Sequence, residues 1–162
     1  MAQPDNIVIE TVEPAGSDAW RAEWRAHLLR LDPDSRQSRF LAPASDVMIG
    51  AYAAAARPVA LVLLRVDGSL RGCAEIHPGS GAGMAEIAVS VEPEWQSRGF
   101  GRHLTAEARA QAAGMGFADI RMTCLRKNIR MMRIARALSA CRLPVVDWAL
   151  ALFRFDPLPE AS

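Results

Sequence analysis

The chain has 162 residues, 51% of them hydrophobic and 23% charged, and carries a formal net charge of +1. That composition describes one globular domain with a substantial core, and near-neutral charge with 6% aromatic residues argues against a nucleic-acid partner. No apolar run reaches membrane-spanning length and MAQPDNIVIE lacks the features of a signal peptide, so a cytoplasmic protein with no membrane partner is expected.

Asn6 to Val12 reads as an opening strand closed by Pro14. Ser17 or Asp18 then suits a helix N-cap, and Trp20, Trp24, Leu28 and Leu31 follow at helical spacing, with the tryptophans read as core. A second helix opens with Pro33 in its first turn, and a third, alanine-rich one spans Asp46 to Ala56 before Pro58. Val59 to Val66 is hydrophobic almost throughout, which predicts a strand buried on both faces. Asp67-Gly68 signals a hairpin into a strand from Leu70 to Ile76. His77 to Gly83 reads as a turn, in which His77 is either a plain turn residue or a contact to substrate.

Ala85 to His103, AEIAVSVEPEWQSRGFGRH, is the stretch that carries chemistry. A β-branched run leads through a polar turn into Gln96-Ser97-Arg98-Gly99-Phe100-Gly101, and a helix opens at Arg102. Strand, glycine turn and helix start together bind phosphate, because loop N–H groups and the helix dipole point at the same anion. Leu104 rules out G-x-G-x-x-G, and no Gly-Lys-Ser/Thr follows, so this is neither a dinucleotide fingerprint nor a Walker loop. Beyond it come a helix ended by Gly114 and Gly116, a strand from Ile120 to Leu125, and a helix opened by Asn128. Two short strands lie between Cys141 and Phe155. Cys73, Cys124 and Cys141 stand far apart in apolar contexts and read as reduced structural thiols.

The Q-x-x-G-x-G loop behind an A-E-I-A-V-S-V strand resembles the acetyl-CoA signature of the GNAT superfamily of N-acetyltransferases, over roughly Ala85 to Ala140. Leu31 to Phe40, Leu-x-Pro-x-Ser-Arg-x-x-Arg-Phe, resembles a segment of bacterial protein-lysine acetyltransferases, although a capped surface helix would read the same. The resemblance implies a single-domain α/β GNAT fold, a mixed sheet of six to seven strands flanked by helices, over residues 1–162. It implies acetyl-CoA as cofactor, held by Gln96, Ser97, Arg98, Gly99, Phe100, Gly101 and Arg102 around the pyrophosphate. The backbone of Val89, Ser90 and Val91 would pair with the pantetheine arm as an added strand would. Asn128 is either a further cofactor contact or simply an N-cap. No metal is implied.

Glu86 shares a strand face with Met84, Ala88 and Ser90, of which the small Ala88 and Ser90 leave room beside a carboxylate. An alkylammonium must lose its proton before it can attack an acyl group, and a Glu raised by partial burial can take it. The resemblance makes Glu86 the general base; the alternative is a structural Glu paired with an arginine. Many relatives carry a tyrosine general acid at the position of Ala135, so either no side chain protonates the thiolate or Cys124 or Ser139 substitutes. Arg126, Arg130 and Arg133 form a basic helix stripe, either a solvated face or a contact to the adenosine phosphate or an acidic substrate. The expected activity is acetyl transfer to a primary amine, of a protein lysine or of a small molecule, by a monomer or homodimer. A non-catalytic acyl-CoA sensor is the alternative of a different class.

Overall fold

The computed structural model describes residues 5–15 and 17–156. Among these residues, seven strands form one sheet in the order β1-β2-β3-β4-β5-β7-β6. The first four are β1 (Ile7–Val12), β2 (Ala60–Val66), β3 (Ser69–Pro78) and β4 (Met84–Val91), each antiparallel to the one before. The others are β5 (Asp119–Leu125), β6 (Cys141–Leu143) and β7 (Leu150–Phe155); only the β4–β5 pairing is parallel. The crossover between them runs through helix α4 (Phe100–Gly114), as a parallel pair requires.

Two apolar cores follow from strand alternation. Ala60, Val62 and Leu64 of β2 face α4 and α5 (Ile129–Ala137), while Leu61 and Leu63 face α1 (Ala19–Leu29) and α3 (Asp46–Ala55). Burial of both faces explains the hydrophobicity of β2, which only Arg65 interrupts. Trp24 and Leu28 of α1 are fully buried, as the helical spacing predicts. The short helix α2 (Pro33–Phe40) has Pro33 at its first position and an Asp32 N-cap accepting from the Ser35 N–H at 2.9 Å. Asn128 caps α5 by accepting from the Met131 N–H at 3.2 Å. Asp67 and Gly68 both take positive φ, which is what a two-residue hairpin turn demands.

Three expectations change. His77 lies inside β3 rather than in a turn, because the antiparallel pairing with β4 continues as far as Pro78 and Ala85. Cys73 and Cys124 are buried, but Cys141 is exposed on β6, the last strand of the sheet. The α4 helix starts at Phe100, directly after the left-handed Gly99. Among the described residues, no helix is long and apolar enough to cross a membrane.

Ser139, just beyond α5, holds φ +57. An L-residue in that region is strained, whereas glycine adopts it freely. Ser139→Gly is therefore expected to stabilise the fold by about 0.5–1 kcal/mol, the relief of strain exceeding the entropy gained by the unfolded chain. A urea midpoint at or below that of the parent protein would contradict this.

Candidate active site

The sheet is split where the chemistry is expected. β4 and β5 pair only at Met84–Asp119, Ala85–Ile120 and Glu86–Arg121, and then part. From Ile87 onward β4 keeps its bonds to β3, while β5 keeps its pairing with β7, so each presents an unpaired edge to the gap. A cleft of about 900 Å³ opens where they have parted, lined by β4 and by the segment that follows β5 but by no residue of β5 itself. One wall carries Val89, Ser90 and Val91; the mouth carries Gln96, Ser97, Gly99, Gly101 and Arg102; α2 and the start of α5, Asn128 included, close the remaining sides.

The loop is built for an anion. Ser97 and Gly99 hold φ +60 and +85, and Gly99 is the N-cap of α4. A left-handed cap with no side chain leaves the first N–H groups of a 15-residue helix free at the cleft. Lys127, Arg102, Arg130 and Arg133 bring four cations to the same cleft. Gln96 ties three of its walls together. Its amide donates to Ser35 Oγ of α2 at 2.9 Å and to the Val91 carbonyl at 2.8 Å, and its carbonyl accepts from Arg130 of α5.

Not every residue singled out from the sequence is drawn in. Arg98 lies over the Trp95 ring, 4.6 Å from its centroid, in a cation–π contact, with Asp5 4.0 Å away. Its side chain is thereby turned from the cleft, as is Phe100, which packs against the α4 core. The basic stripe divides: Arg130 and Arg133 line the cleft, while Arg126 donates to the Leu150 carbonyl at 3.0 Å. Cys124 is sealed in the core against Met132, and burial pushes its thiol up to about 11. Ser139 is exposed and outside the cleft lining, and Ala135 is fully buried, so none of these three supplies an acid to the cleft.

Glu86 is the last β4 residue paired with β5, where the two strands begin to part, and it is not among the residues that line the cleft. The expectation of partial burial fails, for Glu86 is exposed. Its cross-strand neighbours are His77 on β3 and Arg121 on β5, the latter held in its own strand by Asp119 at 2.8 and 2.9 Å.

The buried carboxylate of this sheet face is Glu75, which sequence reasoning passes over. Arg39 of α2 grips it with Nε at 3.1 Å and Nη2 at 2.6 Å, and Tyr52 of α3 donates to it at 2.6 Å. Burial pushes the Glu75 carboxyl up, but the Arg39 charge and the bonds from His77, Arg39 and Tyr52 outweigh it and bring it to about 2. An acidic residue within the apolar run Leu70 to Ile76 is the available signal, since a buried carboxylate demands partners. Arg39 also lines the cleft, so this network reaches it from behind β4. A second buried chain joins α1 to β4: His27 bonds Glu92 at 3.1 Å and Ser90 Oγ at 2.9 Å, with Arg30 and Arg71 completing the Glu92 shell. A carboxylate cannot donate, so Nδ1 carries the His27 proton and Ser90 donates to Nε2.

Residues 16–138 match the family model described as the acetyltransferase (GNAT) family. The chain belongs to the GNAT acetyltransferases. No curated protein sequence matches it. Its fold is that of the GNAT domain of the Streptomyces lividans protein PAT, at 16% identity and TM-score 0.74, covering 94% of this chain and 96% of that one. The yncA protein of Salmonella typhimurium, solved with its cofactor acetyl-CoA, matches at 15% identity and TM-score 0.64, covering 96% of each chain. The aminoglycoside N-acetyltransferase AAC(6')-Iy, solved with CoA, matches at 16% identity and TM-score 0.65, covering 91% of this chain and 96% of that one. In this GNAT domain the parted sheet is roofed by α2, and alanine stands at 135.

Proposed function

We propose that this GNAT domain transfers acetyl from acetyl-CoA to a primary amine, with a protein lysine the favoured acceptor. The observation that carries the cofactor is the β4 edge at Val89 to Val91 that β5 leaves unpaired, with only the Val91 carbonyl taken by Gln96, leading straight into a glycine-capped helix start. A pantetheine arm has peptide-like amides that can take up the unpaired N–H and C=O groups, and its pyrophosphate suits the Gly99–Arg102 cradle. Bound there, acetyl-CoA supplies an activated acyl carbon. Support for lysine comes from the Leu31–Phe40 segment, which forms the helix that roofs the cleft, and from likeness to the S. lividans PAT domain.

Glu86 anchors the acceptor ammonium where β4 and β5 begin to part and takes its proton, directly or through water. Arg39 and Gln96 hold α2 against β3 and the loop, which fixes the entrance through which the amine arrives. Glu86→Gln is expected to lower kcat about 100-fold while leaving acetyl-CoA affinity unchanged. An unaltered kcat would remove Glu86 from the chemistry.

Ala135, fully buried, provides no proton for the leaving thiolate, and that favours a second reading as a sensor of acyl-CoA without turnover. A panel of lysine proteins, polyamines and aminoglycosides, assayed for CoA release, tests both. Turnover on any amine excludes the sensor, and the preferred class of acceptor separates protein from small-molecule substrates.

A further inference from the structure

An exposed carboxylate is a weak base toward an alkylammonium, whose pKa is about 10.4, and the proton it collects needs somewhere to go. The structure places an imidazole opposite it on the neighbouring strand, with no hydrogen bond between the two side chains. His77 and Glu86 are cross-strand partners, so their Cβ atoms stand about 4.5–5.5 Å apart on one face. His77 keeps 23% of its side-chain surface exposed.

The hydrogen bonds around His77 fix its tautomer. Nε2 lies 2.9 Å from Glu75 Oε2 and 3.2 Å from Tyr52 Oη. Glu75 is ionised and can only accept. Tyr52 gives its single proton to Glu75 and can only accept from the ring. Both contacts therefore require a hydrogen on Nε2, which leaves the lone pair on Nδ1. That atom has no hydrogen-bond partner among the described residues. A carboxylate behind one ring nitrogen and an open lone pair on the other is the arrangement that makes an imidazole a base. The charged groups around it are Glu75 on its own strand, Glu86 on β4 with Arg121 beyond, Tyr52 of α3, and Arg39 of α2 acting through Glu75 and Tyr52.

We infer that His77, locked by Glu75 and Tyr52, is the terminal proton acceptor of the transfer, receiving through Glu86 the proton that the acceptor amine loses. This rests on Glu86 as the base of the proposed reaction. An N–H bond of the ammonium breaks, its proton moves to a Glu86 oxygen and from there, through water, to Nδ1. The freed lone pair forms the N–C bond to the acetyl carbon and the C–S bond breaks; the second proton that the nitrogen must then lose passes through solvent to the departing CoA thiolate. The imidazolium is stabilised by Glu75 and returns its proton to water through its exposed edge.

The test compares wild type, His77→Gln and Glu86→Gln in pH–rate profiles, with acetyl-CoA thermal shifts for cofactor binding and 15N NMR of the His77 ring in the full chain. His77→Gln is expected to lower kcat on the order of tenfold to 100-fold, change the shape of the pH–rate profile, and leave KM for acetyl-CoA unchanged. The spectrum of wild type should show the Nε2–H tautomer. A wild-type profile in His77→Gln, with Glu86→Gln impaired, overturns the relay alone; a silent Glu86→Gln removes the Glu86 reading and the relay with it. An Nδ1–H tautomer also overturns the relay, and that readout needs neither variant nor turnover.

Discussion

Gly99→Glu is expected to abolish the thermal stabilisation that acetyl-CoA confers on this protein. At a ligand concentration of 100 times Kd, wild type should gain about 2.7 kcal/mol, which for a chain of this size is about 5–10 °C in Tm. Gly99 holds φ +85, and nothing lies within 4 Å of the place a Cβ would occupy. A side chain therefore fits sterically and acts through charge and strain. Its carboxylate would stand at the start of α4, the proposed seat of the pyrophosphate, and would repel it there. Gly99→Ala separates the two effects, retaining the φ strain and part of the shift. A full shift with Gly99→Glu would place the cofactor elsewhere.

Arg39→Met is expected to cost about 3–5 kcal/mol in urea unfolding at pH 7, because it leaves Glu75 fully buried without its cation. The double variant Arg39→Met, Glu75→Gln should recover part of that loss, since a neutral amide keeps a bond to Tyr52 without needing a counter-charge. The pH dependence follows from the same pair. Glu75 sits at about 2 in the fold against an ordinary 4.5, so the unfolded chain binds the proton more readily. Its contribution is complete above about pH 4.5 and is lost as pH falls towards 2. Glu75→Gln should accordingly flatten the acid limb of the stability curve. A loss below about 1 kcal/mol for Arg39→Met would mean that water or another group replaces the guanidinium.

Much of this is legible in the residues. The loop from Gln96 to Gly101 announces an anion site because glycine spacing and a following helix are local properties. β2 announces double burial through its near-continuous hydrophobicity, and Asn128 its cap through its position. The long-range partnerships are what local patterns leave out. His77 looks like a turn residue because Pro78 and Gly79 follow it, and only the pairing of β3 with β4 makes it a neighbour of Glu86. Glu75 meets Arg39 and Tyr52 from positions 36 and 23 residues away in sequence, a closure that no local period encodes. Arg98 reads as a phosphate ligand by its place in the loop, yet a tryptophan three residues earlier holds it instead. A central strand suggests burial for Glu86, but exposure there depends on how far β5 and the helices reach.

Among the described residues, the three residue pairs that join β4 to β5 are the only strand pairing between a four-stranded half of the sheet and a three-stranded half, which otherwise share the apolar core beneath α4 and α5. A ligand that lay along β4 as an extra strand would add a further joint between the halves where the strands have parted.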